Sequence, residues 1–162
     1  QKTSLNSDWV RKQMAHFMEE DVPNGDLTTE AIVAASTLVI AQINSGEDFI
    51  FCGSSVIPYC FPESCKIEIE IRDGQQVNSG VTLATITGFA SDILTYERVS
   101  LNLIQRLCGI STETKKYCDL NLPINFKVMD TRKTTPGLRL FENMLFPLAG
   151  DGIIVLTFHQ GF

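Results

Sequence analysis

Histidine and tryptophan are nearly missing from this chain: His16 and His159 are the only histidines and Trp9 the only tryptophan among 162 residues. Neither histidine stands at ligand spacing from a cysteine. The five cysteines (Cys52, Cys60, Cys65, Cys108, Cys118) include no Cys-x-x-Cys pair, which excludes the usual zinc patterns, and no metal-ligating residue is expected. An odd number of thiols fits a reducing compartment and mostly buried side chains better than a disulfide framework. Long apolar runs are also lacking: none approaches the ~18 residues of a membrane span, and the opening QKTSLNSDWVRKQ has no signal-peptide core. The expectation is a soluble, cytoplasmic protein with no membrane partner. Basic charge is short as well, 13 Lys and Arg against 19 Asp and Glu for a net −6, which argues against nucleic acid as a partner.

What is present is enough for a real core, with 44% hydrophobic residues and no low-complexity tract. The charge is unevenly spread. From Glu97 to Arg139 eight basic residues face four acids, a local +4, while the remainder carries −10. A positive segment within an acidic protein suits a small, multiply charged anion, although Lys115 and Lys116 read as plain solvated surface.

Along the chain, Val10, Met14, Phe17 and Met18 fall at helical spacing within Trp9 to Glu20, and Val22-Pro23-Asn24-Gly25 stops that helix. Asp26-Leu27-Thr28-Thr29-Glu30 then opens a short second element with capping side chains. Thr37 to Asn44 and Asp48 to Cys52 read as strands, and Ser54 to Cys60 as a helical turn. Lys66 to Arg72 (KIEIEIR) alternates strictly, with Ile67, Ile69 and Ile71 on the buried face. The following Asp73 to Gly88 carries a DGxxVxxGxxL pattern, similar to the turn-and-strand unit of biotinyl and lipoyl carriers. No lysine stands at a hairpin tip to take a cofactor, so this is expected to be a structural, hammerhead-like element. Ser91 to Ile110 is the longest helical candidate. It sets Leu94, Leu101, Ile104 and Cys108 on one stripe and Arg98, Asn102 and Arg106 on another, with Gly109 expected to end or bend it and Ser111 to Thr114 to cap the next helix. Leu122 to Met129 reads as a strand, and the order of elements predicts an α+β domain feeding an α/β unit.

Directly after that strand comes DTRKTTPGLR, residues 130 to 139, a polar turn built to meet an anion. Three blocks in order, Glu19-Glu20-Asp21 with Gly25-Asp26-Leu27-Thr28-Thr29, then Glu97 to Leu103 with Gly109 to Thr112, then Asp130 to Arg139, resemble quinolinate phosphoribosyltransferase, also called nicotinate-nucleotide pyrophosphorylase (carboxylating). The resemblance covers roughly residues 9 to 142.

It implies an N-terminal α/β sandwich over residues 1–108, the start of an incomplete α/β barrel over 109–142, and a homodimer with active sites between one subunit's barrel and its neighbour's N-terminal domain. It also implies the reaction: quinolinate and phosphoribosyl pyrophosphate yield nicotinate mononucleotide, carbon dioxide and pyrophosphate, with Mg2+ accompanying the pyrophosphate. By the same resemblance Thr131 and Arg132 hold a carboxylate of quinolinate, Arg98 reaches into the partner subunit's site, and Lys133 is the catalytic point charge toward phosphate and ribose hydroxyls. Asp130 and Arg139 are possible supports, and Arg139 is a candidate partner for Glu142. A guanidinium fork suits a planar dicarboxylate better than an ammonium does.

Two other readings stand beside this one: a related pyrophosphorylase of the same fold with another substrate, and a non-catalytic interaction module using the N-terminal sandwich alone. Residues 143–162 depart from the family pattern. If one base is missing near Glu142, their codons permit an out-of-step reading with three glycines and an Asn-His-Arg triplet, so a frameshifted tail is expected there, against genuine divergence. The chain is then expected to be an inactive fragment.

Overall fold

A computed structural model describes residues 5–120, 128 and 130–144. The tail reading falls almost wholly outside these residues, as does the strand expected over 122–129, of which only the buried Val128 is described.

Helix α1 (Ser7–Asp21) begins where the Asn6 side chain accepts hydrogen bonds from the amides of Asp8 (2.9 Å) and Trp9 (3.1 Å). Its buried residues Val10, Met14 and Met18 follow the expected stripe. Helix α2 (Leu27–Ile32) is capped by Asp26, whose carboxylate takes the Thr29 amide at 3.1 Å and the Thr29 hydroxyl at 2.6 Å. Those bonds, first the hydroxyl and then the amide, hold the Asp26 carboxyl below its ordinary value.

Strands β1 (Leu38–Asn44), β3 (Lys66–Ile69) and β5 (Thr82–Phe89) form an antiparallel sheet in the order β1-β5-β3. Two-residue strands β2 (Phe49–Ile50) and β4 (Gln76–Val77) pair separately. The alternation of KIEIEIR holds: Ile67, Ile69 and Ile71 pack against the core while Lys66 and Glu68 stand in solvent. Gly88, opposite Val39 in the register, has a close approach to explain it, since a Cβ there would lie 2.7 Å from the Cys65 sulfur.

The DGxxVxxGxxL element is structural, as its pattern predicts. Asp73 accepts from the amides of Gly53 (2.7 Å) and Ser54 (2.8 Å) and from the Ser54 hydroxyl (2.7 Å), tying this turn to the one before the 3-10 segment Ile57–Tyr59. Gly74 sits at φ 85° with its amide on the Phe51 carbonyl at 2.8 Å, and Gly80 at φ 87°. Val77 and Leu83 go into the core with Phe51, Ile57 and Ile104.

Helix α3 differs from expectation. It runs unbroken from Ala90 to Cys118, through Gly109 and past the 108/109 position. Glycine costs about 1 kcal/mol in a helix interior, but Leu107 and Cys108 before it and Ser111 and Thr114 after it are all buried, so one packed face spans the weak point. Thr112 caps nothing: its hydroxyl donates to the Cys108 carbonyl (2.7 Å) one turn back and accepts the β2 amide of Ile50 (2.9 Å). The buried stripe keeps Ile104 and Cys108 of the expected one and differs in the rest. Ile93, Ser100, Leu103, Ile104 and Leu107 face inward, whereas Leu94 is 43% exposed. Helix α4 (Arg139–Asn143) docks on α1 through Phe141, fully buried with its ring 4.8 Å from Trp9. The observed architecture is therefore α+β, a small sheet with helices; Arg98, Asn102 and Arg106 line the exposed face of α3 as expected.

All five cysteines are free, Cys52, Cys60 and Cys108 buried and Cys65 and Cys118 half-buried. Burial pushes Cys60 up to about 12 and Cys108 up to about 11, and raises Cys52 too.

Two expected outcomes follow from this packing. Asp73→Ala strands two backbone amides and should lower stability by about 1–3 kcal/mol, read as a shift of the urea midpoint; an unmoved midpoint would show that the carboxylate holds nothing. For the thiols, folded-state values lie above the ordinary 9.0, so the unfolded chain releases these protons first. Stability from this source is whole below 9.0 and is lost as pH climbs toward 11–12. Unfolding midpoints should accordingly fall as pH rises from 9.0 toward 11–12, and iodoacetamide on the native protein should label Cys65 and Cys118 before the buried three.

Candidate functional site

The loop from Asp130 to Thr135 is held by its backbone and its threonines. Thr131 Oγ1 accepts the Lys133 amide at 3.2 Å, closing a local turn on the two cations. Further on, the Thr135 carbonyl accepts the Leu138 amide at 3.0 Å, with Gly137 at φ 83° supplying the left-handed position. Asp130, Arg132 and Lys133 are exposed and Thr131 is half-buried, so the residues expected to meet substrate are brought together on one accessible loop. Neither Arg132 nor Lys133 has an ion-pair partner among the described residues.

Arg139 supports this loop, and does so differently from the pairing with Glu142 proposed for it. Its Nε donates to Thr134 Oγ1 at 3.1 Å and its Nη2 to the Arg132 carbonyl at 3.4 Å. Placed at the first position of α4, its side chain turns back over the loop rather than along the helix. Glu142 is taken instead by Arg106 of α3, whose Nε (2.8 Å) and Nη2 (2.6 Å) both reach Oε1. The same Arg106 Nη2 donates to Thr135 Oγ1, while Glu142 Oε2 accepts the Thr135 amide at 3.2 Å. Sequence reasoning placed Arg106 on a polar face and missed this contact. The available signal was the spacing Arg98, Asn102, Arg106, which marks a face without naming what lies against it.

Arg98 stands apart from the loop. Eight residues along α3 separate it from Arg106, an axial distance of about 12 Å at ~1.5 Å per residue. Its guanidinium meets Asp21 at the end of α1 (3.2 Å), and its side chain is 71% exposed. Such a surface pair contributes little stability, about 0–1 kcal/mol; its effect is to keep the guanidinium at the molecular edge. Beside Arg106 lies a cavity of about 560 Å³, lined among others by Phe17, Glu20, Asp21, Asn102 and Leu138. Among the described residues no three His, Cys, Asp or Glu side chains converge as a metal cluster, and no helix is long and apolar enough to cross a membrane.

Comparison with known proteins identifies the family. The family model described as quinolinate phosphoribosyl transferase, N-terminal domain, matches residues 26–108. A probable nicotinate-nucleotide pyrophosphorylase (carboxylating) of Bacillus subtilis is 34% identical over 167 aligned positions, covering 96% of this chain and 57% of its own length. A mitochondrial quinolinate phosphoribosyltransferase (decarboxylating) of Nicotiana tabacum is 34% identical, covering 87% of this chain and 41% of its own length. Among solved structures, the nicotinate-nucleotide pyrophosphorylase from Francisella tularensis superposes with a TM-score of 0.83 at 29% identity, over 94% of this chain and 55% of that one. The chain thus spans about half the length of the relatives it matches. With the matched segment running from the Asp26 cap through the sheet to Cys108 in the middle of α3, the chain belongs to the quinolinate phosphoribosyl transferase family, N-terminal domain.

Proposed function

We propose that this chain is the N-terminal portion of a quinolinate phosphoribosyltransferase, and that the whole protein joins quinolinate to phosphoribosyl pyrophosphate, releasing nicotinate mononucleotide, carbon dioxide and pyrophosphate. The observation that carries the reading is the loop from Asp130 to Thr135, with its backbone tied down and the Arg132 and Lys133 side chains unpaired among the described residues. A planar dicarboxylate offers two charged forks. Arg132 can answer one of them bidentately, with the Thr131 hydroxyl beside it. Lys133, a compact charge on a flexible stem, suits phosphate and ribose oxygens. Arg139 supports the loop through Thr134 and the Arg132 carbonyl, and the family reading assigns Asp130 a supporting role at the other end.

The remaining assignments rest on the same family reading. Residues past α3 begin an incomplete α/β barrel, with the loop at a strand's carboxyl end, where barrels keep their chemistry. Mg2+ enters with phosphoribosyl pyrophosphate and neutralises pyrophosphate charge; since the described residues offer no carboxylate cluster for it, no step is assigned through it. The protein works as a homodimer in the cytoplasm. Arg98 serves the partner's site, which its exposure and its distance along α3 from the loop both favour. The outer sheet face, with Leu38 69% and Ile40 72% exposed, offers apolar surface for that association.

The test uses the whole protein that carries this chain. Formation of nicotinate mononucleotide from both substrates is expected, and Arg132→Lys should weaken quinolinate binding roughly 10- to 100-fold, the equivalent of a lost charged hydrogen bond. Unchanged affinity would remove Arg132 from the site. Heterodimers of Arg98→Ala with Arg132→Ala subunits keep one intact site if sites are shared, and should recover activity that neither parent homodimer shows.

A further inference from the structure

Arg106 and Glu142 belong to none of the substrate contacts above, yet both grip the same loop residue. Glu142 is 8% exposed and holds the Thr135 amide at 3.2 Å, while Arg106 donates to the Thr135 hydroxyl and closes the pair on Glu142 Oε1 at 2.6 Å. A pair that only joined α3 to α4 would have no need of Thr135. From that arrangement we propose that Arg106 and Glu142 are positioning residues, acting through Thr135 to fix the loop that presents Arg132 and Lys133.

The loop's restraints support this. Between Arg132 and Thr135 the chain is tethered at the Arg132 carbonyl and the Thr134 hydroxyl, both by Arg139, and at the Thr135 amide and hydroxyl, by Glu142 and Arg106. Every tether falls on backbone or threonine, and none on the two cationic side chains. That is the arrangement needed to bind an anion without first ordering the loop, so the ordering entropy is met on folding rather than on binding. Charge enters in a second way. A lone Glu142 beside the loop would oppose an anionic ligand, and a lone Arg106 would compete for it. Paired, they supply donor and acceptor with almost no net field.

The inference rests on the functional reading above, and the experiment separates the two. In the whole protein, Thr135→Val removes the hydroxyl and leaves the Arg106–Glu142 pair in place, Thr135→Ser keeps the hydroxyl, and Glu142→Gln removes the charge. Thr135→Val and Glu142→Gln should each raise the quinolinate KM on the order of tenfold, with the thermal midpoint of Thr135→Val unmoved and Thr135→Ser close to the parent. A quinolinate KM indifferent to both substitutions would overturn the inference alone. So would a lowered thermal midpoint with Thr135→Ser no better than Thr135→Val, since the contact would then serve only folding. Absence of quinolinate turnover in the unsubstituted protein would overturn the functional reading, and this inference's substrate with it.

Discussion

The buried face of helix α3 is the constraint on which the other elements depend. Ile93 and Leu103 enter a cluster with Val10 and Met14 of α1 and Phe141 of α4; Ile104 and Cys108 enter the second cluster with Phe51, Val77 and Leu83. Leu107, fully buried, lies between them in sequence and packs in the first cluster. One rigid rod therefore carries both halves of the core. Full burial of a leucine is worth about 1.5–3 kcal/mol, so several such side chains on one face outweigh the ~1 kcal/mol penalty of a single interior glycine. The same rigidity gives Arg98 and Arg106 a fixed separation on the opposite face. A bend at Gly109 would have left that spacing intact but freed the end of the helix that Thr112 ties to β2.

What was legible in the sequence follows from the range of the interaction concerned. The Asp26 cap, the alternation of KIEIEIR and the glycine turns at Gly74 and Gly80 are local; their signals are complete within a few residues, and the structure agrees with them. Gly109 and the Ser111 to Thr114 stretch carried an equally clear local signal that proved misleading. There the deciding contacts come from Ile50 and Cys52, more than fifty residues away in the chain. Leu94 failed for a related reason. A helical stripe can be drawn several ways through an apolar-rich sequence, and only the surface it packs against chooses one.

The candidate site divides along the same line. Asp130 to Lys133 were readable because loop, charge and threonines are contiguous. The braces were not: Arg106 and Glu142 are separated by 36 positions, and Arg106 and Thr135 by 29. Pairing Glu142 with Arg139 is the natural guess from spacing within one helix, since residues three apart face each other. The alternative partner on α3 offers two donors to one nearly buried carboxylate, and Arg139 finds its own acceptors in Thr134 and the Arg132 carbonyl.

The positive excess between Glu97 and Arg139 can now be located. Lys115 pairs with Asp119, Lys116 with Glu113, Arg98 with Asp21 and Arg106 with Glu142, so four of the basic residues in that segment are matched by a nearby carboxylate. Each such pair presents a dipole whose field decays well inside the ~10 Å over which salt screens a charge. Arg132, Lys133 and Arg139 have no such partner among the described residues. Within the described part of the segment the unmatched cations are therefore three side chains of a single loop and the helix turn after it, against the unpaired carboxylates of Asp130 in the same loop and Glu97 at the far end of the segment. The net −6 of the chain repels polyanions at long range, while the unmatched cations of that described part stand together on one braced loop and the turn after it. A small anion that reaches the loop still meets unpaired positive charge at short range, so the placement of charge favours small anions over large ones.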